Sequence, residues 1–389
     1  MKALRVLEVA KSTAGVAEYI RWLVQGLDRS LFDLTVVCLS EGGESFAREL
    51  TQVYGVRATS LAMNRYQIDL FSDGKVALAL ACLLRREHFD LVHAHASKPG
   101  FLTRLAALGL DVPVIYSPHC FSFHPGVGRL KARVLALLER LAARLRTNRI
   151  LVVAESEIEL AQKFGVGRPE QFTAVNSGID PAPFQAAAGR PAADRAAQRH
   201  SFGLEDAAFV VGSVGRLSVQ KAPLDFIRAA ALLGPKYPAV HFIWFGDGPL
   251  LAEAQALCQV SGLGGRVHFA GQRQDIPACL AALDCFVLSS RWEGFPLVIL
   301  EAMAAGKPVV ATNIPGTSDA VQDGVDGLLA PPGDAAGMAA AIERILLDAG
   351  LAARLAAAGL RKVQERFTRQ NMLRAVTQVY LETAQRRLA

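Results

Sequence analysis

Short, nearly unbroken apolar runs recur along the chain, and each is followed by a longer stretch in which apolar positions return every three to four residues. In the first half the runs are Leu4–Val9, Leu34–Leu39, Leu91–Ala94, Val112–Tyr116 and Ile150–Val153. Helix-length segments such as Val16–Leu27, Gly74–Arg86 and Leu102–Leu108 lie between them. The second half repeats the scheme with Phe209–Gly215, Val240–Phe245, Val267–Ala270, Cys285–Leu288 and Pro308–Thr312. Strands that are apolar on both faces and separated by helices belong to parallel sheets covered on both sides. The pattern predicts two doubly wound α/β domains, with ligands at the carboxyl ends of the strands. Pro181–Asp206 is rich in Ala, Pro, Gly and charge and lacks strand periodicity, so it reads as the connection between them. The expected limits are 1–185 for the first domain, 186–206 for the linker and 207–369 for the second. The amphipathic segment Thr368–Ala389 either caps the second domain or, as a helix over 370–389, joins the first.

Composition narrows the class. The 389 residues are 51% hydrophobic and 20% charged, which excludes a disordered chain. The longest clean apolar run, Val76–Leu84, has nine residues, against about 20 for a bilayer span. The start carries Arg5 and Glu8 within its apolar stretch and reads as a first strand, not a signal peptide. Six cysteines without C-x-x-C spacing fit a reducing compartment and argue against zinc, so a cytoplasmic location is expected.

Charge is placed unevenly. The chain has 42 basic and 36 acidic residues, a net +6. The segment 129–149 alone holds seven basic residues (Arg129, Lys131, Arg133, Arg140, Arg144, Arg146, Arg149) and one acid, Glu139, which equals that net charge. Its apolar residues Leu130, Val134, Leu137, Leu138, Leu141 and Leu145 follow helical spacing. Such a basic amphipathic helix is either a surface helix packed on the first sheet or one whose basic rim meets anionic headgroups. With 7% aromatic residues and no recognised binding module, nucleic acid is not an expected partner.

Three segments carry candidate chemistry. After the run Cys285–Leu288, Glu293-Gly294-Phe295-Pro296 forms a turn, and Pro296 suits the first turn of a helix. The amides of Leu297 and Val298 then lie at a helix N-terminus, a ready anion site. Glu301 follows in the second turn, where a buried carboxylate among apolar residues asks for a polar ligand such as a sugar hydroxyl; a helix-dipole acid and a structural carboxylate are the plainer alternative. Next, Arg216 and Lys221 emerge five residues apart beyond Gly215, a pair suited to a diphosphate or to a solvated surface. Third, the loop Lys11–Glu18 contains Gly15, but neither a G-x-G-x-x-G fingerprint nor a P-loop is present. Among the histidines, His93 and His95 alternate at a strand end with no carboxylate at ligand spacing. His119, which follows another strand, is the best functional candidate. No D-x-D occurs, so the acidic clamp for a divalent metal is missing.

Taken together, these segments resemble glycosyltransferase family 4, the retaining enzymes of the GT-B fold that use nucleotide sugars. Glu293 through Glu301 matches the E-x7-E motif, Gly215-Arg216-Leu217 with Lys221 the phosphate loop, and Gly246-Asp247-Gly248-Pro249 the G-x-G-P turn. Asn176-Ser177-Gly178-Ile179-Asp180 is similar to the family's N-G-[IV]-D segment. The resemblance implies two Rossmann-like domains facing a central cleft, the first for the acceptor and the second for the donor. It implies that Arg216 and Lys221 hold the donor diphosphate together with the Leu297 and Val298 amides and the Gly15 loop. Glu293 would contact the sugar, Glu301 the ribose, His119 the reacting centre, and Arg273 and Ile276 the nucleobase edge. No metal or other cofactor is expected, the nucleotide sugar (foremost a UDP-sugar) being a substrate. Two departures stand out: Ala222 where glycine is usual, and Thr13-Ala14-Gly15 in place of a Gly-Gly pair. The stretches 95–100 and 117–123 resemble the subgroup that builds bacterial capsule, exopolysaccharide or O-antigen units on polyprenyl diphosphate. That subgroup implies a hexose or N-acetylhexosamine transferred to a lipid-linked saccharide, and peripheral attachment of helix 129–149 to the inner membrane face. A GT-B enzyme with a soluble acceptor (a sucrose- or trehalose-type synthase, or an epimerase) and a non-catalytic nucleotide-sugar-binding scaffold subunit remain open alternatives.

Overall fold

In this computed structural model, residues 2–12, 14–64, 69–124, 126–205 and 208–388 are described. Met1, Thr13 of the first loop, Asp206 at the end of the expected linker, and Ala389 lie outside the described residues. The chain forms two units, 1–176 with 369–389, and 177–368.

The first unit is built on seven parallel strands: β1 (Leu4–Ala10), β2 (Phe32–Leu39), β3 (Arg57–Leu61), β4 (Leu91–His95), β5 (Val114–Ser117), β6 (Arg149–Val152) and β7 (Phe172–Ala174). Their order is β3-β2-β1-β4-β5-β6-β7, so the winding reverses between β1 and β4. Helices α1 (Ala14–Gly26), α2 (Gly43–Gln52), α3 (Leu70–Arg86), α4 (Ser97–Ala106), α5 (Arg129–Arg146) and α6 (Glu155–Lys163) connect them. The apolar runs are strands because both faces are covered: every residue of β4 and β5 is buried. Helix α3 starts ahead of the expected Gly74 because Asp69 caps it, accepting from the amides of Phe71 and Ser72.

The second unit has six parallel strands: β8 (Phe209–Val214), β9 (Val240–Phe245), β10 (Val267–Phe269), β11 (Cys285–Leu288), β12 (Val309–Thr312) and β13 (Leu328–Ala330). Their order is β10-β9-β8-β11-β12-β13, with the reversal between β8 and β11. Its helices are α7 (Ala182–Ala188), α8 (Ala192–Ser201), α9 (Pro223–Leu233), α10 (Leu251–Val260), α11 (Ile276–Ala281), α12 (Leu297–Ala304), α13 (Thr317–Ala320), α14 (Ala335–Leu347) and α15 (Ala349–Arg366). Both units are therefore doubly wound, Rossmann-like folds, the arrangement the alternating pattern predicts.

The stretch 186–206 was expected to be a linker, and its described part is instead largely helical. Helices α7 and α8 belong to the second unit, where Arg195 and Arg199 both pair with Asp284, at 2.5 and 2.6 Å. The chain enters and leaves this unit side by side, with the Ile179 amide donating to the Phe367 carbonyl. A last helix, α16 (Arg369–Leu388), belongs to the first unit, and its Tyr380 is fully buried there.

Candidate active site

Two polar clusters form, one in each unit, and each lies where its sheet reverses winding. This is where an open α/β sheet leaves a crevice at its strand ends.

In the second unit the loops after β8 and β11 meet. Lys221 Nζ donates to Glu293 Oε1 at 2.6 Å, Ser290 Oγ donates to the same oxygen at 2.6 Å, and Gln220 Nε2 donates to Glu293 Oε2 at 3.3 Å. The Arg291 amide donates to the Gln220 carbonyl at 2.7 Å, so the two loops are tied through backbone as well. Arg216 is exposed, and among the described residues none pairs with its guanidinium. Ala222 caps α9 in the left-handed region, at φ 47°. Beside it, Gly215 and Gly246 touch backbone to backbone: a Cβ on Gly246 would come 2.1 Å from the Gly215 carbonyl oxygen, and its φ of 138° also favours glycine. The G-x-G-P turn thereby packs against the Arg216 loop, with the Leu217 amide donating to the Asp247 carbonyl at 3.0 Å.

Helix α12 follows Glu293-Gly294-Phe295-Pro296. Its N-cap Pro296 offers no side-chain acceptor, which leaves the first-turn amides to a ligand. Gly294, Phe295 and Pro296 are buried and fix the turn, while Leu297, Val298 and Glu301 form the partly open face of the helix. Glu301 is thus not the buried carboxylate expected. It lies at i+4 from Leu297 on the same partly open side of the helix. Arg273 is held by two bonds to Asp275, both 2.8 Å, at the start of α11, with Ile276 partly buried beside it.

The first unit's cluster joins the three histidines singled out from the sequence to Glu8 and Tyr380, whose part the sequence pattern did not reveal. Glu8 in the middle of β1 stands opposite His93 of β4 and is fully buried. Its Oε2 lies 2.7 Å from His95 Nε2, and Tyr380 donates its hydroxyl proton to Oε1 at 2.7 Å. His95 Nδ1 lies 2.9 Å from His119 Nε2. His93 Nδ1 meets the Tyr380 hydroxyl at 2.6 Å and His93 Nε2 the Ser117 hydroxyl at 2.8 Å. His119 takes a φ of 54°, is partly exposed, and packs edge-on against Tyr19 with centroids 4.9 Å apart. A carboxylate does accompany these histidines, contrary to the expectation from spacing, because β1 and β4 are neighbours in the sheet. The ligating atoms of Glu8, His93 and His95 fall within 4.8 Å of one another. Both nitrogens of each of the two histidines already hold hydrogen bonds to protein groups, so the cluster reads as a proton network.

Burial sets the charge states. It pushes the Glu8 carboxyl up to about 8, partly offset by the Tyr380 bond. It pushes His95 down to about 3, and it holds His93 and His119 well below the ordinary imidazole value. Burial thus favours a neutral acid on a neutral imidazole over an ion pair for Glu8 and His95. Gly15 falls in the first turn of α1, not in a loop, and open space surrounds it.

The basic helix differs from expectation in its packing. α5 ends at Arg146, and Arg149 begins β6. Its buried side is Ala132, Ala136, Glu139, Ala142 and Ala143, while Leu130, Val134, Leu137, Leu141 and Leu145 are 46–77% exposed. The alanines let the helix sit close to its neighbours. Glu139 is drawn inward by Arg104 at 2.6 Å and by the Tyr116 hydroxyl at 2.9 Å. Arg140 and Arg146 are turned to backbone carbonyls, which leaves Arg129, Lys131, Arg133 and Arg144 exposed around the leucines. No helix among the described residues is long and apolar enough to cross a membrane.

Comparison with known proteins identifies the family of both units. A family model described as glycosyl transferases group 1 matches residues 208–348, and a glycosyl transferase 4-like domain model matches 14–178. The UDP-Gal:alpha-D-GlcNAc-diphosphoundecaprenol alpha-1,3-galactosyltransferase of Escherichia coli is 33% identical over 329 residues, covering 83% of this chain and 82% of that protein. A D-inositol 3-phosphate glycosyltransferase of Salinispora arenicola is 32% identical over 336 residues, 79% of this chain and 73% of that protein. In fold, the chain superimposes on Anabaena Alr3699/HepE in complex with UDP and glucose, with a TM-score of 0.82 at 24% identity over 97% of this chain and all of that one.

Proposed function

The chain belongs to the group 1 glycosyl transferases and uses a nucleotide sugar, and from that premise we propose that it moves a hexose or N-acetylhexosamine from a UDP-sugar to a lipid-linked saccharide with retention of configuration. The donor side of the reading is carried by the Lys221–Glu293 pair at the carboxyl ends of β8 and β11, with exposed Arg216 and the uncapped start of α12 alongside. The reading for the acceptor rests on the exposed leucine row of α5 and its cationic rim. The E. coli relative, whose name specifies a diphosphoundecaprenol acceptor, supports it.

In this mechanism the bond from the anomeric carbon to the donor phosphate breaks as the acceptor hydroxyl adds to the same face. The hydroxyl proton passes to the departing phosphate oxygen. Arg216, Lys221 and the Leu297 and Val298 amides neutralise the leaving diphosphate, each positioned donor contributing roughly 3 kcal/mol. Glu293 orients the sugar once a diphosphate draws Lys221 toward itself, Glu301 takes the ribose, and His119 takes part in the transfer. Arg273 and Ile276 receive the nucleobase. These fixed cations take the part of a metal, so transfer needs none. The leucines of α5 enter the headgroup region of an anionic membrane while Arg129, Lys131, Arg133 and Arg144 meet its phosphates, which places the protein peripherally on the cytoplasmic face.

The test is transfer from UDP-galactose, UDP-glucose and UDP-N-acetylglucosamine to a polyprenyl-diphosphate N-acetylglucosamine in vesicles, with 1D-myo-inositol 3-phosphate as the soluble control. An α-linked lipid product is expected from one donor. Product on the soluble acceptor alone overturns the lipid reading, and no product from any donor overturns the donor assignment.

A further inference from the structure

The Glu8–His95–His119 line ends at a histidine to which the proposed function gives a part in the transfer, and its two ends differ in kind. Glu8 is fully buried in the sheet, whereas His119 keeps part of its surface open. His119 Nε2 and both nitrogens of His95 are occupied within the line, so Nδ1 is the nitrogen His119 has left for other partners. We propose that Glu8 and His95 are positioning residues that decide whether His119 Nδ1 presents an N–H donor or a bare acceptor.

The hydrogen bonds allow two self-consistent states. With Glu8 protonated, its Oε2–H donates to His95 Nε2, His95 Nδ1–H donates to His119 Nε2, and His119 carries its proton on Nδ1. With Glu8 ionised, His95 Nε2–H donates to the carboxylate and His119 Nε2–H donates to His95 Nδ1, so His119 Nδ1 is bare. Passing from the first state to the second, the Nδ1 proton of His119 leaves to solvent. The His95 Nδ1 proton moves to His119 Nε2, the Glu8 proton moves to His95 Nε2, and the negative charge rests on Glu8. One proton is lost and one charge gained. Tyr380 donates to Glu8 Oε1 in both states and accepts from His93 Nδ1, which leaves Oε2 as the oxygen that changes.

The groups facing the line are Tyr19 of α1, Lys11 after β1, His93 of β4, Ser117 of β5 and Tyr380 of α16. Burial and the neighbouring imidazoles and Lys11 keep His119 from becoming a cation, so the line changes by moving its proton and not by charging its outer end. Near neutral pH the buried acid holds its proton, and His119 presents a donor suited to a hydroxyl or phosphate oxygen.

The inference rests on the reading of His119 as part of the transfer site, and two measurements separate them. Histidine-labelled full-length protein is followed by two-bond ¹H–¹⁵N spectra from pH 6 to 10, with His119→Gln and His95→Gln for assignment. Wild-type His119 is expected to change from the Nδ1–H to the Nε2–H tautomer as pH rises through about 8. Glu8→Gln, whose amide donates to His95 Nε2 and has no proton to lose, is expected to stay Nδ1–H throughout. The same variant should lack an alkaline fall in turnover that wild type shows. Tyr380→Phe removes a bond that favours the carboxylate, so it should move both midpoints to higher pH, and it serves where Glu8→Gln does not fold. Identical spectra for wild type and Glu8→Gln, or an unmoved midpoint in Tyr380→Phe, overturn the proposal, as does a spectrum altered by EDTA. Spectra as expected beside normal turnover in His119→Gln overturn the role of His119 in transfer and leave the line standing.

Discussion

The Lys221 ammonium lies 2.6 Å from a Glu293 carboxylate oxygen, although 72 residues separate the two in sequence. Each is the last charged group of a loop leaving a strand end, and β8 and β11 are neighbours, so the pair is a product of sheet order. It keeps a half-buried cation and a half-buried acid together until a more highly charged anion competes for the lysine.

Replacing either cation at this site separates a binding role from a structural one. Lys221→Ala and Arg216→Ala should each lower turnover about 100- to 1000-fold. Arg216 is exposed, so its variant should melt with wild type, whereas Lys221→Ala leaves Glu293 without its cation and should melt lower. Near-normal turnover in both variants contradicts the phosphate role.

The proposed neutralisation of the leaving group by Arg216, Lys221 and the α12 amides predicts that transfer continues in excess EDTA at close to the untreated rate. Added Mg²⁺ should then change it less than twofold. A strict requirement, measured after exhaustive chelation and readdition, refutes this.

Helix α5 predicts a contrast between arginines. Neutralising Arg129, Lys131, Arg133 and Arg144 should weaken sedimentation with anionic vesicles at least tenfold at low salt, a difference that shrinks as salt rises, and leave the melting point alone. Arg146→Ala removes bonds to the Ala107 and Leu110 carbonyls, so it should cost about 1–3 kcal/mol of stability and leave vesicle binding of the folded protein unchanged.

Glu8 gives stability a sign with pH. The folded protein keeps a proton up to about pH 8 that an ordinary carboxyl gives up near 4.5, so native stability falls as pH rises across that window and levels beyond it. Glu8→Gln carries no such proton. Urea unfolding at pH 5, 7 and 9 should show the variant gaining on wild type by about 1.4 kcal/mol per pH unit at most. The histidines act oppositely and in both proteins alike: held neutral by burial, they cost stability as pH falls below 6.5. A constant gap across the three pH values contradicts the buried acid.

Ala222, in the left-handed region, should tolerate glycine with a gain of about 1 kcal/mol. Chemical unfolding of Ala222→Gly measures it, and a loss of stability shows that the position carries no backbone strain.

The central strands were legible because nothing but burial on both faces explains runs such as Val240–Phe245. The edge strands β3 and β7 were not, because they are short and only half covered: in β3 exposed Arg57 and Thr59 alternate with partly buried Ala58 and Ser60, and no residue of β7 is fully buried. The meeting of the loops after β8 and β11 was legible, since Arg216, Lys221 and Glu293 sit directly after strand runs. Glu8 carried a signal, an acid inside an apolar run, but its meaning came from His95 and from Tyr380, which lies 372 residues away. Spacing revealed that α5 is two-faced. Which face packs was decided by the small alanines and by the Arg104–Glu139 contact, and neither is visible in a period of 3.6.

The first unit is interrupted: residues 177–368 come off the ribosome before α16 can join it. The later-made unit is continuous and can complete itself first, whereas the earlier-made sheet waits with Glu8 and His93 lacking the Tyr380 hydroxyl. A chain cut short of Tyr380 would leave the buried Glu8 and His93 without the hydroxyl that joins them, and with it an unsealed sheet face.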